Sequence, residues 1–257
     1  WRGIHKKKSF FPYSRCECGF LYCKEYFSDN FLSVLYSDMK DNIYSGDTQT
    51  DYLTKDKYID KLEEVISKKT DFSVLEIGAD NGTILKKLKK FSNITKISAI
   101  EPNLNMHKLL SNVADNVYED IDDIELHEKF DLIICIHVLD HIPMISKYIN
   151  SLSQLLKKDG HIFGVVHDES SILSRILGKR WPAFCLQHPH LFNEFTIKEL
   201  FKKISFNTIE VYKTENIFKF GYLISQLLLA LFKINVKVPK LFNISLKLGN
   251  IGFIFKK

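Results

Sequence analysis

The stretch that decides the fold is Val74-Leu75-Glu76-Ile77-Gly78-Ala79-Asp80-Asn81-Gly82. Residues 73–77 read as a short apolar strand and 78–82 as a tight loop. Residues 83–91 read as a helix, with Ile84, Leu85 and Leu88 on one face. Gly78 lets main chain approach a ligand with no Cβ in the way, and Gly82 lets strand and helix pack closely. The same alternation repeats outward. Residues 97–101 are the next strand and 103–112 the next helix, with Asn103 as its cap. The run DLIICI at 131–136 suits a strand covered on both faces. An amphipathic helix follows at 145–156, then a turn at Lys158-Asp159-Gly160, then a strand at 161–166. Residues 196–204 read as a helix, and 208–213 and 252–256 as late strands. Upstream, 56–68 place Ile59, Leu62, Val65 and Ile66 at helical spacing. Strands alternating with helices predict an α/β, doubly wound, mostly parallel sheet with right-handed crossovers.

The loop is not a phosphate cradle. Asp80 stands where a dinucleotide fingerprint has its middle glycine, and its charge would repel a pyrophosphate. Glu76 adds a second carboxylate beside the loop. Two acids next to free helix-start N–H groups suit a cationic or zwitterionic ligand carrying an amino group, of which S-adenosylmethionine is one. The second strand ends in Glu101, a carboxylate able to accept two hydrogen bonds from a ribose diol.

With VLEIGADNGTIL, ISAIEPN and FDLIICIHVLDHI read together, the chain resembles the class I S-adenosylmethionine-dependent methyltransferases. The Gly-Ala-Asp-Asn-Gly loop is similar to the Gly-x-Asn-Asp-Gly version of the sugar and surface-polysaccharide methyltransferases, with its two middle residues exchanged. RCECGFLYC resembles the small zinc-binding segment with which that family often begins. Cys16 and Cys18 stand one residue too close, and the upstream cysteine pair is absent. HPHLFNEFTIKELFKKISF resembles the family's His-containing segment, and ISLKLGNIGFIFKK its final hairpin strand. The resemblance implies a Rossmann-like, seven-stranded sheet with an antiparallel last strand. It places a methyltransferase domain at 51–257, behind a Cys-containing arm at 1–50, with an apolar helical insertion at about 216–248. It implies that Glu76, Gly78, Asp80 and Gly82 line the methionine end of the cofactor and that Glu101 holds the ribose. Asp120 would sit beside the adenine amine, where Asp115, Glu119, Asp122 and Asp123 compete with it. His137 and the Asp140-His141 pair would face the sulfonium.

Methyl transfer from a sulfonium needs positioning of the acceptor and exclusion of water. An alcohol acceptor must also lose a proton, and histidine suits that work near neutral pH. The candidates are His137 and His141 after one strand, His167 with Asp168 and Glu169 after the next, and His188 and His190 in a loop that could close over the site, where His190 would help to orient a sugar. The bland readings are a structural cap for His141, a backbone contact for His167, a rigid turn around Pro189 for His188 and His190, and packing for Cys135. The expected acceptor is a sugar or nucleotide-sugar hydroxyl in polysaccharide biosynthesis. Carbon methylation of a keto-sugar, a quinone or lipid-like acceptor and a non-catalytic, cofactor-binding scaffold are the alternatives.

Composition bounds the partners. The 257 residues are 45% hydrophobic and 26% charged, enough to bury a core. Net charge is +5, but arginine supplies only Arg2, Arg15, Arg175 and Arg180 of 36 basic residues. Nucleic-acid readers lean on arginine, so scattered lysines read as a solvated surface. Lys6-Lys7-Lys8 with Phe10-Phe11 is a weak basic arm. Five cysteines, three of them bunched, point to a reducing cytoplasm rather than a disulfide framework. Cys16, Cys18 and Cys23, with His5, are the candidates for a structural zinc ion, against a remnant knuckle. No apolar run reaches the roughly 20 residues of a membrane span. The apolar segment 218–232 and the lysines behind it read as a buried or homodimer helix, or as a peripheral contact with the inner face of the membrane through 218–240. A chain opening on Trp1 and lacking a signal peptide reads as a fragment or a processed product.

Overall fold

The computed structural model describes residues 12–28, 31–32 and 48–257, apart from 233, 235, 237 and 240. His5, Lys6, Lys7, Lys8, Phe10, Phe11, Lys233, Lys237 and Lys240 lie outside the described residues. Two short strands, β1 (Tyr13–Arg15) and β2 (Leu21–Cys23), open the chain, and a helix α1 (Thr48–Ile66) follows. Then come β3 (Phe72–Ile77), α2 (Thr83–Leu88), β4 (Ile94–Ile100), α3 (Leu104–Leu110), β5 (Asn116–Tyr118), β6 (Phe130–Ile136), α4 (Ile145–Leu155) and β7 (Leu156–His167). The last part comprises α5 (Ile172–Leu177), β8 (His190–Leu191), α6 (Glu194–Lys202), β9 (Asn207–Lys213), β10 (Asn216–Lys219), α7 (Phe220–Phe232), β11 (Asn243–Leu246) and β12 (Asn250–Lys256).

Seven strands form one sheet in the order β5-β4-β3-β6-β7-β12-β9. Pairing is parallel from β5 to β7, and β12 runs antiparallel to both β7 and β9. This is the Rossmann-like sheet with an antiparallel last strand that the resemblance implies. The DLIICI run explains itself in the packing. Leu132 and Ile134 face one layer, with Leu62 and Ile66 of α1 and Leu85 and Leu88 of α2. Ile133 and Cys135 face the other, with Ile149 and Leu152 of α4 and Ile197 and Phe201 of α6. A strand with period-2 side chains and two covered faces has no polar side to show. Cys135 is fully buried packing, as its bland reading holds.

Three expectations shift. α4 does not end in a turn; it passes straight into β7, which begins at Leu156 rather than at 161. Asp159 takes a left-handed φ of 63° inside that strand, where the register with β6 slips. The fit at Gly160 is close, since a Cβ would lie 3.0 Å from the Lys157 carbonyl and 3.2 Å from that of Phe130. α1 begins earlier than the periodicity shows. The insertion is not one helix: β10 and β11 pair antiparallel as a separate two-stranded sheet beside α7. Among the described residues no helix is long and apolar enough to cross a membrane.

The arm folds as two strands around a turn at Gly19, whose φ is 83°. β8 adds to β2, so β1-β2-β8 is a three-stranded sheet. The cysteine expectation is corrected here. Cys16 and Cys18 are joined in a disulfide, which leaves Cys23 as the free thiol of the three. Sulfurs bonded to each other have no thiolate to offer a metal, so Cys16, Cys18 and Cys23 do not form a zinc centre, and the arm is not a set of reduced thiols.

Candidate active site

The site lies at the carboxyl edge of the parallel strands. β3 ends in Glu76-Ile77 and enters the loop, where Gly78 (φ 67°), Asp80 (φ 49°) and Gly82 (φ 71°) are all left-handed. A Cβ on Gly78 would lie 2.9 Å from Val138, and one on Gly82 the same distance from Val113, so both positions demand glycine. Asp80, lacking that exemption, is held in place from across the crevice. Glu101 Oε2 accepts from the Asp80 N–H at 2.8 Å, and Oε1 accepts from the Asn103 N–H at 2.9 Å. One carboxylate thereby braces the loop and the start of α3. Asn103 caps α3 as expected, accepting from Asn105 N–H.

Glu76 is buried, and its Oε2 has no hydrogen-bond partner among the described residues. Burial, reinforced by Asp80 and Glu101 and partly offset by Lys55, pushes its carboxyl up to about 8. Burial also raises Glu101. A deeply placed, unsatisfied acceptor beside a loop with glycine at both ends fits a ligand bringing positive charge and an amino group. Asp120 follows β5 and spends one oxygen on capping the turn Ile121–Asp123, accepting from Asp122 N–H at 3.0 Å.

Beyond β6 the histidines gather. His137 adopts a left-handed φ of 53°, and its N–H donates to the Val165 carbonyl at 2.8 Å. Its ring lies 4.7 Å from that of His167, centroid to centroid, at the end of β7. Asp140, fully buried in the short turn Leu139–His141, accepts from the His167 backbone N–H at 3.1 Å and is hydrogen-bonded to His167 Nδ1. Burial opposes the charged form of Asp140, but His167 outweighs it and holds the carboxyl well below the usual range. His188 packs its ring 4.7 Å from both His141 and His167. Burial would lower His188, yet its contact with Cys185 and the charge of Asp140 lift it to about 9. Burial, then the neighbouring imidazoles, lowers both His137 and His141 to about 3.

His137, Asp140 and His167 place ligand atoms within 4.8 Å of one another, a donor set for a divalent cation. Such an ion would have to displace the proton that Asp140 and His167 share. His190 has a different task from the one expected of it. It is buried, its Nε2–H donates to the Leu139 carbonyl at 2.9 Å, and its ring packs on Phe20 and Phe192. It ties the turn carrying Asp140 to β8, and burial lowers it to about 4.

The sequence reading omitted the residues that assemble this mouth from afar. Arg15 grips Glu169 with both guanidinium nitrogens at 2.9 Å, which seats the arm on the end of β7. Tyr13 OH donates to the His188 carbonyl at 2.6 Å. Trp181 sets its ring against His167. Lys213, at the end of β9, pairs with the fully buried Asp168. Asp140 carried a local signal, an acid beside a histidine just past an apolar strand; the others carried none. A cavity of about 360 Å³ lies between arm and mouth, lined by Phe20, Tyr22, Tyr26, Pro143, Pro189 and His190 among others.

A family model described as a methyltransferase domain matches residues 50–211, more than half of the chain. A ubiquinone biosynthesis O-methyltransferase of Neisseria meningitidis serogroup A is 28% identical over 116 residues, which are 41% of this chain and 47% of that protein. The chain thus spans about half the length of the curated relatives it matches. The 1,6-didemethyltoxoflavin N1-methyltransferase of Burkholderia thailandensis, solved with its acceptor and S-adenosylhomocysteine, superposes with a TM-score of 0.61 at 13% identity, over 95% of this chain and 98% of that one. The N-methyltransferase NodS of Bradyrhizobium japonicum, solved with S-adenosylhomocysteine, gives 0.53 at 12% identity, over 88% and 97%. Sheet order, cradle and family model agree, and the chain belongs to the methyltransferase domain family.

Proposed function

We propose that the protein transfers the methyl group of S-adenosylmethionine to a hydroxyl oxygen of a small polar acceptor, a sugar or nucleotide-sugar unit, with His167 as general base. The observation that carries this reading is the Asp140–His167 pair at the carboxyl edge of β6 and β7. The bound sulfonium supplies an activated methyl group. Glu76 would neutralise the cofactor's positive end, Glu101 would accept from its ribose, and Asp120 remains the candidate beside the adenine. Asp140 accepts from Nδ1–H and so fixes the tautomer of His167, leaving the Nε2 lone pair for the acceptor proton. His167 Nε2 would take the hydroxyl proton as the acceptor oxygen receives the methyl group that the bound cofactor would supply. His137 and His141, held neutral by burial, shape the mouth without carrying charge. The aromatic walls of the neighbouring cavity suit the flat face of a ring.

The test is turnover on nucleotide-sugar pools with labelled cofactor, for His167→Asn, Asp140→Asn and His190→Asn. His167→Asn lowers turnover at least tenfold, about 1.4 kcal/mol of barrier, while calorimetric affinity for the demethylated cofactor stays within twofold. Unchanged turnover in His167→Asn overturns the histidine-base mechanism. A second reading, a phenolic hydroxyl on a quinone precursor, is favoured by the similarity to the ubiquinone biosynthesis O-methyltransferase of Neisseria meningitidis. Hydroxylated aromatic acceptors in the same assay separate the two.

A further inference from the structure

The disulfide between Cys16 and Cys18 holds nothing distant together. The two cysteines are 2 positions apart, so the bond closes a small ring within the turn that joins β1 to β2. Loop-closure entropy grows with the length of chain enclosed, and so short a loop gains the least from it. The arm is held by other means: β1 pairs with β2, β2 pairs with β8, and Tyr13 OH donates to the His188 carbonyl. The cross-link is therefore no staple for the fold. It is also open to attack, since Cys18 is exposed, as is Glu17 beside it. Exposed disulfides are the labile ones in thiol exchange. The third cysteine of the arm does not compete for the bond. Burial pushes the Cys23 thiol up to about 12, so it stays protonated near neutral pH. A protonated thiol is a poor nucleophile, and exchange needs a partner from outside.

What the turn carries gives the bond its consequence. Cys16 N–H donates to the Phe20 carbonyl at 3.0 Å, and Gly19 N–H to the Cys16 carbonyl at 2.9 Å. Arg15, next to Cys16, donates from Nη1 to the Gly19 carbonyl at 2.6 Å while both its guanidinium nitrogens hold Glu169. The turn thus aims a carbonyl at the guanidinium and fixes where the fork points. Glu169 follows His167 by two positions, and its N–H donates to the Phe192 carbonyl at 2.8 Å. On the other side of the turn, Phe20 sets its ring against His190 and Phe192. A change in the turn reaches the histidine edge from both of its ends.

We propose that the Cys16–Cys18 bond is a thiol-exchange site, opened by a dithiol reductant, whose state sets how firmly Arg15 seats the arm on the active-site edge of the sheet. A thiolate of the reductant attacks Cys18 Sγ, the sulfur–sulfur bond breaks, and Cys16 leaves as a thiolate that takes up a proton. The second sulfur of the reductant then displaces Cys18 from the mixed disulfide. The protein gains two electrons and two thiols, and the reductant ends as a disulfide. Freed of the cross-link, the turn no longer holds the Gly19 carbonyl against the guanidinium, and the grip on Glu169 loosens.

The inference goes beyond the choice of acceptor, and its test needs no turnover. Trypsin supplies the readout, because Arg15 enters a protease pocket only after leaving Glu169. The full chain, oxidised or treated with dithiothreitol, is digested briefly, and the cut after Arg15 is followed by mass spectrometry. Maleimide labelling after unfolding counts the thiols: Cys23, Cys135 and Cys185 before reduction, and all five cysteines after it. Cutting after Arg15 is expected to be at least about fivefold faster in the reduced chain and in Cys16→Ser/Cys18→Ser. Cuts after Lys61 and Lys198, and affinity for the demethylated cofactor, are expected to stay the same. In Glu169→Gln the cut after Arg15 is fast in both redox states. A bond that resists dithiothreitol in the folded chain overturns the inference, as does equal cutting of the oxidised and reduced chains. So does acceleration of every cut alike, since the bond would then be a staple for the whole fold.

Discussion

At the scale of single residues, the cofactor cradle depends on two carboxylates with opposite duties. Glu101 is already engaged, accepting from Asp80 N–H and Asn103 N–H. In the proposed binding mode, Glu101→Ala removes a charged acceptor from both backbone groups and from the ribose, and affinity for the demethylated cofactor falls by about 1.5–3 kcal/mol. Calorimetry checks this, and Glu101→Gln, which keeps one acceptor, loses less. Glu76 is held in reserve, buried with a free oxygen and a pKa pushed to about 8. Below that pH the empty site holds a neutral acid, and a cationic ligand draws off its proton. Affinity for S-adenosylmethionine therefore rises with pH, at up to about tenfold per unit, and levels off above about 8. Glu76→Gln flattens the profile. Calorimetry in two buffers of different ionisation heat measures the released proton directly, and none released would refute this role.

At the scale of elements, the antiparallel β7–β12 pair is packed without room for one more methyl group. A Cβ on Gly164 of β7 would fall 2.1 Å from the Phe253 ring of β12. Phe253 in turn packs with Phe201 of α6 and with Phe255. The glycine makes room for an aromatic layer that ties β12 to the helix behind it. Gly164→Ala forces the ring aside in a filled core and destabilises by about 1–3 kcal/mol, measured by denaturant unfolding. Adding Phe253→Leu recovers part of that loss, whereas additive losses would show that the two residues do not share the space.

At the scale of the whole molecule, the arm and the insertion converge on one edge of the sheet. The arm reaches it through Arg15, whose two nitrogens bind Glu169 just past His167, and Glu169 also accepts from Asn193 Nδ2 at 2.7 Å. Arg15→Met removes that clasp and leaves the cradle untouched, while Tyr13 and the β2–β8 pairing still hold the arm. The expected result is an acceptor KM raised about fivefold, on the order of 1 kcal/mol, with cofactor affinity unchanged. Steady-state kinetics with both substrates varied separates the two effects. An equal loss in both would mean that the arm supports the fold and not the acceptor site.

What the amino-acid sequence determined by itself is the part written in local pattern. Strand–loop–helix at 73–91, the doubly covered DLIICI strand and the Asn103 cap depend on residues a few positions apart, and period and turn chemistry report them directly. The glycines of the cradle belong here too, since a left-handed φ with no room for a Cβ favours glycine. Tertiary structure alone decided the rest. Asp140 and His167 are 27 positions apart, and Arg15 and Glu169 are 154 apart. Nothing local distinguishes His167, paired with a buried acid, from His190, whose ring nitrogen is spent on the Leu139 carbonyl. The bond between Cys16 and Cys18, the strand added by β8 to the arm, and the seating of an apolar insertion at the histidine edge are products of the same convergence. A titratable side chain takes its role from its neighbours, and those neighbours come from strands that meet only when the sheet closes.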